Sequence, residues 1–328
     1  MPELTYREAL NRAMDEEMAR DEKVFLIGEE VGEYDGAYKV SRGLLAKYGP
    51  KRVRDTPISE LGFTGLGVGA AIAGLRPVVE WMTHNFALLA VDQVVNNAAK
   101  LRQMSGGQIS VPIVFRGPNG PAEFLAAQHS QSLGGFWMHV PGLKVVAPAT
   151  PSDAYGLLKS AIRDDNPVVM LEAELMYPWK GEVSEQEFLV PIGKARIARE
   201  GEDVTLITYS KPIRMVEEAA ERLAEKGVRA EVIDLRSLRP LDEETVVHSV
   251  RKTGRCVVID EAWPMASPGV TVAQLVNSRC FDVLDAPVEL VSGEDVPMPY
   301  NHTLELAAQP SVEKVIAAVG RVLYREDL

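Results

Sequence analysis

Short, uninterrupted apolar runs separated by helix-length amphipathic stretches constrain this chain more than any other feature. VFLIG at 24–28, VVEW at 78–81, PIVF at 112–115, KVVA at 144–147 and VVML at 168–171 are too short for buried helices. None of them alternates polar with apolar residues. Strands that are apolar on both faces belong in a parallel sheet covered on both sides, because parallel neighbours are joined by crossover helices. The intervening stretches supply such helices. Thr5 followed by Glu8 has capping-box spacing and opens an amphipathic helix to about residue 20. Residues 85–104 and 151–164 read as two more, the latter with Pro151 at its start and acids close behind.

The alternation breaks between residues 173 and 203, a polar stretch with two prolines. A second alternation follows. VTLIT, RAEVIDL, RCVVID and PVELV read as strands, with helices at 213–226, 242–252, 269–281 and 311–324. The sequence therefore predicts two α/β domains, residues 1–178 and 204–328, joined by a crossing segment at 179–203.

Charge and cysteine usage narrow the function classes. The formal net charge of -12 repels phosphate backbones, which argues against nucleic acid and leaves acidic surface for a basic protein partner. Cys256 and Cys280 have no metal-ligand spacing and make no disulfide framework, which suits a reducing compartment. No apolar run reaches membrane-spanning length, and the amino terminus lacks the basic flank and apolar core of a signal peptide. The expected setting is a bacterial cytoplasm, or an organelle once a targeting segment has been removed.

Three motifs carry possible chemistry. In DTPISELGFTGLGVGAAIAGLRP (55–77), Gly65, Gly67, Gly69 and Ala70 match a dinucleotide fingerprint in letters only. No apolar strand precedes them, and the ribose-binding acid due ~20 residues on is absent. Gly65, Gly69 and Ala73 instead share one helix face and permit close packing against another helix or another subunit. Glu60 has two readings. With Ser59 as N-cap it is an ordinary first-turn acid. Among Ile58, Leu61, Phe63 and Leu66, with only Arg54 as a nearby cation, it is a lone buried carboxylate of raised pKa, able to carry a proton near neutrality. The second motif, RGPNGPAEFLAAQHSQS (116–132), follows a strand, at the edge where open parallel sheets bind ligands. His129 there is either a proton-transfer group or a surface histidine. The third, SAIRDDNP (160–167), is either a helix stop or a set of free carbonyls fit for a hard monovalent cation.

GEEVG, DTPISELGF, AGLRPVVEWMT, RGPNG, AAQHSQS, PGLKVVAP, SAIRDDNPVV, DLRSLRPLD and DVPMPY occur in this order across essentially the whole chain. Together they resemble one family, the beta subunit of the thiamine-dependent, decarboxylating component of 2-oxo acid dehydrogenases, most closely its pyruvate type. The resemblance implies a transketolase-like α/β fold. A pyrimidine-binding domain with a mainly parallel sheet would be followed by a transketolase C-terminal-like domain. It implies thiamine diphosphate shared with an alpha subunit in an α2β2 assembly. The alpha subunit would hold magnesium and the diphosphate through a GDG motif, and no GDG occurs in this chain. The implied reaction is oxidative decarboxylation of pyruvate and acyl transfer to the lipoyl domain of a dihydrolipoyl acyltransferase core. The alternatives are a branched-chain 2-oxo acid or acetoin as substrate, and, in another class, a non-catalytic scaffold subunit.

The same resemblance assigns residues. Glu60 matches the acid facing a ring nitrogen of the aminopyrimidine, and Phe86 the aromatic packed on that ring. Ile58 and Met82 match wall residues, and Glu29 an acid of a polar channel between active sites. His129 matches a histidine that handles protons near the substrate carbonyl or the lipoyl group. The carbonyls of Ile113, Ala161, Ile162, Asp164 and Asn166 match a potassium loop. Acids of the second domain, such as Glu289, Glu294 and Asp295, are expected to meet a basic binding domain of the core. The chain departs from the pattern at 121–125 (PAEFL in place of small residues), at His84 and Leu89, and at Gly134 and Gly135, which would loosen a helix start.

Overall fold

A computed structural model describes residues 2–328, which divide into two units. One comprises the chain up to Asn119 together with Trp137–Ile192; the other comprises Gly120–Phe136 and Gly193–Leu328.

Six parallel strands run through the first unit: β1 (Val24–Gly28), β2 (Val53–Asp55), β3 (Arg76–Glu80), β4 (Val114–Pro118), β5 (Lys144–Val146) and β6 (Val168–Glu172). Their spatial order is β5-β6-β4-β3-β1-β2. Helix α1 (Tyr6–Arg20) begins with the predicted capping box: Glu8 N donates to Thr5 Oγ1 at 3.3 Å, and Thr5 N to Glu8 Oε2 at 2.7 Å. Its apolar stripe, Tyr6, Leu10, Met14 and Met18, is buried in one core with Tyr155, Leu158 and Ile162 of a helix at Pro151–Arg163. Between them in sequence lies α2 (Glu60–Ile72), and we number the Pro151–Arg163 helix α3.

The long helix expected at 85–104 is broken. It forms a turn of α-helix (His84–Ala87), a 3-10 turn (Leu88–Ala90), a π turn (Gln93–Ala98) and a last helical turn (Leu101–Met104). A side chain reaches the backbone here, Asn97 Nδ2 donating to Asp92 O at 3.4 Å, and others bridge the turn. Asn96 donates to Asp92 at 2.6 Å, and Asn97 to Gln93 at 3.1 Å. Gly65 of α2 packs against this π turn, where a Cβ would lie 3.2 Å from Gln93 Oε1, whereas Gly69 faces open space. Within this chain the stripe packs against a neighbouring turn at Gly65. The glycines sit inside a helix, not in a phosphate-binding loop.

The carboxyl ends of β3, β4 and β6 are tied together by a buried ion cluster. Arg116, 1% exposed, donates to Glu172 through Nε at 2.7 Å and Nη2 at 2.6 Å, and to Glu80 through Nη1. Tyr177 adds a hydroxyl donor to Glu172 at 2.8 Å. Burial pushes the Glu80 carboxyl upward, since one guanidinium serves two carboxylates.

The sheet of the second unit has five strands: β7 (Arg196–Arg199), β8 (Val204–Thr208), β9 (Ala230–Asp234), β10 (Cys256–Ile259) and β11 (Glu289–Val291). Their order is β11-β10-β8-β9-β7, parallel except for the antiparallel edge strand β7. Helices α4 (Ile213–Glu225), α5 (Glu243–Thr253), α6 (Pro268–Cys280), α7 (His302–Ala307) and α8 (Val312–Leu323) complete it. Two features differ from the sequence-based division. Strand β7 pairs with β9, so the second unit begins at Gly193 instead of 204. Residues 120–136 also group with it. Among the described residues, no helix is long and apolar enough to cross a membrane.

Replacing Arg116 with Leu leaves Glu80 and Glu172 facing each other without a counter-charge. The expected loss is about 3–5 kcal/mol, read as a lower urea midpoint at unchanged slope.

Candidate active site

Parallel strands deliver their following residues to one edge of the sheet, and five of the predicted site residues arrive there. Glu29 follows β1, Ile58 and Glu60 follow β2, and Met82 and Phe86 follow β3. Three bonds draw the first two loops together: Thr56 N donates to Gly28 O at 3.0 Å, and the Asp55 carboxylate accepts from Gly32 N at 2.6 Å and Glu33 N at 2.9 Å. Trp81 Nε1 donates to Thr64 Oγ1 at 2.9 Å, which fixes α2 against the end of β3.

The result is a pair of buried carboxyls. Glu60 is 4% exposed and Glu29 5%. Glu60 is the first residue of α2, and Ser59 makes no side-chain capping bond, so the ordinary N-cap arrangement is absent. Nor is Glu60 alone, as the sequence implied. Burial first, then the charge of Glu60 and a hydrogen bond to it, push Glu29 up to about 7. Glu29 can therefore keep a proton near neutrality beside the Glu60 carboxyl. Glu29 Oε1 is buried without a hydrogen-bond partner among the described residues.

Around this pair, Met82 and Phe86 are half-buried, while Ile58 stands 84% exposed. His84 is fully buried, edge-on to Trp81 at 5.3 Å and Trp137 at 6.2 Å. Its Nε2 donates to Met170 O at 3.2 Å, and Nδ1 has no partner among the described residues. Burial lowers its pKa to about 4, so it sits in the core as a neutral ring. His129 is half-buried in a 3-10 turn (Ala127–His129) that belongs to the second unit.

Comparison with known proteins decides the family. Residues 2–180 match the transketolase pyrimidine-binding domain, and 193–315 the transketolase C-terminal domain. The chain is 57% identical over 327 residues to a mitochondrial pyruvate dehydrogenase E1 component subunit beta-2 of Oryza sativa, covering 98% of this chain and 87% of the relative. It is 55% identical over 322 residues to the pyruvate dehydrogenase E1 component subunit beta of Rickettsia bellii, covering 98% and 99%. The chain belongs to the pyruvate dehydrogenase E1 beta-subunit family. Its fold is also that of a split-gene transketolase described as an inactive beta4 tetramer, with TM-score 0.81, 23% identity and 98% of both chains covered.

Within this family chain, the five residues of the predicted cation loop lie at the opposite, amino-terminal edge of the first sheet. Ile113 precedes β4, and Ala161 to Asn166 run from the end of α3 toward β6. Arg76 Nη1 donates to Ile162 O at 3.0 Å and Asp164 O at 3.1 Å. Lys144 pairs with the Asp164 carboxylate. Ile113 O accepts from Val168 N at 2.9 Å, and Ala161 O from Asp164 N at 3.3 Å. Crowded carbonyls here already draw one positive side chain.

Two expectations change at the second unit. Gly135 is no defect in a helix start, because a Cβ there would lie 2.4 Å from Ala266 O. Of the three acids expected to form a docking patch, Glu289 is paired with Arg321 at 2.7 Å and Glu294 with Lys314 at 2.9 Å. Only Asp295 remains exposed without a recorded ion pair, so the patch carries less net charge than its letters imply. The sequence reading missed the Glu80–Arg116–Glu172 cluster. Its signal was an arginine inside a strand flanked by strands that end in glutamate.

Two pH experiments follow. The folded state holds Glu29 protonated further up the pH scale than the unfolded chain does. Stability therefore falls as pH rises from about 4.5 toward 7, and Glu29→Gln is expected to melt about 2 °C or more above the parent at pH 8 and level with it below pH 5. His84 behaves oppositely. The unfolded chain takes up a proton below about 6.5 that the core refuses until pH falls to about 4, so acid costs stability. His84→Phe should remove up to about 3 kcal/mol of that acid sensitivity, measured by unfolding at pH 4.5 and pH 7.5.

Proposed function

We infer that the chain is the pyrimidine-binding half of a pyruvate dehydrogenase. With an alpha subunit it oxidatively decarboxylates pyruvate and passes the acetyl group to the lipoyl domain of a dihydrolipoyl acyltransferase core. The observation that carries this reading is the Glu29–Glu60 pair, two buried carboxyls poised to hold one proton at the sheet edge where a ring would bind. The orphaned Glu29 Oε1 is a polar demand of the kind a nitrogenous ring meets, so the residues present fit an aminopyrimidine.

Thiamine diphosphate, when bound, supplies the carbon nucleophile and electron sink that a 2-oxo acid needs to lose carbon dioxide. The chain's own part is proton control. Glu60 holds and returns a proton at a pyrimidine ring nitrogen, and Glu29 keeps a proton beside it at working pH. Phe86 offers a ring face, and Met82 and Ile58 apolar wall. His129 handles a proton during acyl transfer. The diphosphate and its magnesium fall to the alpha subunit, which is supported by the lack of any GDG motif here. The α2β2 assembly and the bacterial or organellar compartment rest on family likeness, since relatives come from Rickettsia and from mitochondria.

Potassium at the loop of Ile113, Ala161, Ile162, Asp164 and Asn166 is supported by the carbonyl crowding that already attracts Arg76. Because Arg76 contributes charge, exchanging potassium for choline should lower the melting temperature by only about 2 °C. Arg76→Ala should deepen that dependence.

The decisive assay is decarboxylation by the chain alone and with its alpha subunit, with thiamine diphosphate and magnesium, on pyruvate and on a branched-chain acid. Turnover is expected in the mixture only and to favour pyruvate. Glu60→Gln should reduce it by about 100-fold or more. Turnover by the isolated chain, or an undiminished Glu60→Gln, defeats the reading.

A further inference from the structure

Segment 120–136 carries two non-glycine residues in the left-handed region just before His129, Phe124 at φ +63° and Ala126 at φ +60°. Side chains rarely stay there unless the surroundings over-determine the backbone. The second unit supplies that determination from three separate places. At the segment's start, Gly120 (φ +84°) lies so close to Glu261 that a Cβ would come within 2.1 Å of its Oε1. Lys211 pairs with Glu261 at 3.1 Å and donates to Pro121 O at 3.1 Å and to Gln309 Oε1 at 3.3 Å. In the middle, Phe124 N donates to Glu305 Oε2 at 3.2 Å, and the Phe124 ring stacks on His302 at 4.9 Å between centroids. Glu305 is 1% exposed, and its other oxygen has no hydrogen-bond partner among the described residues. Gln309 Nε2 donates to Glu305 O at 3.2 Å, which links the two anchors. The His129 turn then follows directly, with His129 N donating to Ala126 O at 3.3 Å.

We propose that Phe124, seated between Glu305 and His302 of α7 and braced by Lys211, is a clamp that holds the segment bearing His129 in a single conformation. The PAEFL run at 121–125, a departure from the family's small residues, is the part of the segment that α7 grips. Phe124 and Glu305 are positioning residues, acting through the backbone at Ala126. The proposal rests on the functional reading only for the consequence of misplacing His129. The clamp itself is a matter of geometry within the second unit.

The test uses the assembled alpha–beta enzyme with Phe124→Ala, Phe124→Tyr and Glu305→Leu. Hydrogen exchange is read across 120–136, together with kcat and KM for pyruvate in the coupled lipoyl reaction. Phe124 is half exposed, so its truncation should not threaten folding. Expected for Phe124→Ala and Glu305→Leu is exchange in 120–136 about tenfold faster. A fall in kcat of about tenfold or more at nearly constant KM should accompany it. Phe124→Tyr keeps the stack and should restore both. Exchange in 120–136 that is unchanged by Phe124→Ala overturns the clamp, whatever the activity. An inactive parent assembly whose exchange still responds overturns the functional reading while supporting the clamp.

Discussion

Three neighbouring strands at the carboxyl edge of the first sheet are held by one buried guanidinium. Apolar strands alone leave register weakly fixed, because any shift by two residues keeps the same faces inward. Arg116 removes that freedom by gripping Glu172 with a two-point fork and Glu80 with its remaining nitrogen. Two strands are pinned at their last residues, Glu80 and Glu172, and the third at Arg116, two residues before its end; 81–86, 173–177 and Asn119 depart from these ends. Well-packed apolar residues often match the stability of such a cluster, but they do not reproduce this alignment of strand ends. The cluster's excess carboxylate also places one raised acid, Glu80, in the same layer as the proton-holding pair.

The Glu29–Glu60 pair shows how ordinary elements build unusual chemistry. The strand before Glu29 ends in Gly28, where a Cβ would lie 2.4 Å from Glu80 O. A carboxylate at Asp55 gathers the backbone amides of the following loop, and Glu60 heads a helix pinned by Trp81. Each step is common, and their sum is two carboxyls that cannot both ionise cheaply. The element assigned to the proton at first sight was Glu60, whereas the upward push falls on its neighbour.

Much of this was legible in the letters. Parallel sheet architecture followed from strands such as Val24–Gly28 and Val204–Thr208, whose continuous apolar runs admit few other homes. Capping chemistry placed α1 to the residue, because Thr5 and Glu8 satisfy each other locally. What stayed hidden depended on distant partners. The π turn at Gln93–Ala98 needs Asp92 and its asparagines arranged in space. The pairing of Glu289 with Arg321 spans 32 residues, so a charge count saw acids where the fold has salt bridges. Gly135 read as a weakness because its neighbour, Ala266, is far along the chain. The family motifs named Glu29 and Glu60 separately, yet only the tied loops made them partners.

The assignment of residues 120–136 to the second unit has a consequence for how the chain is made. Synthesis proceeds from the amino terminus, and domains tend to fold as they emerge. This stretch leaves the ribosome well before Lys211, Glu261 and Glu305, the residues that seat it. The first unit must therefore assemble around a gap, closing Trp137 and the strands beyond it onto earlier ones, while the intervening loop waits without its scaffold. Long-range closures of this kind slow folding and lengthen exposure. For the same reason, no single cut separates the two units. A gene fusion that exchanges one of them between relatives has to carry seventeen residues from the middle of the other, residues 120–136, if the seat and the segment are to match.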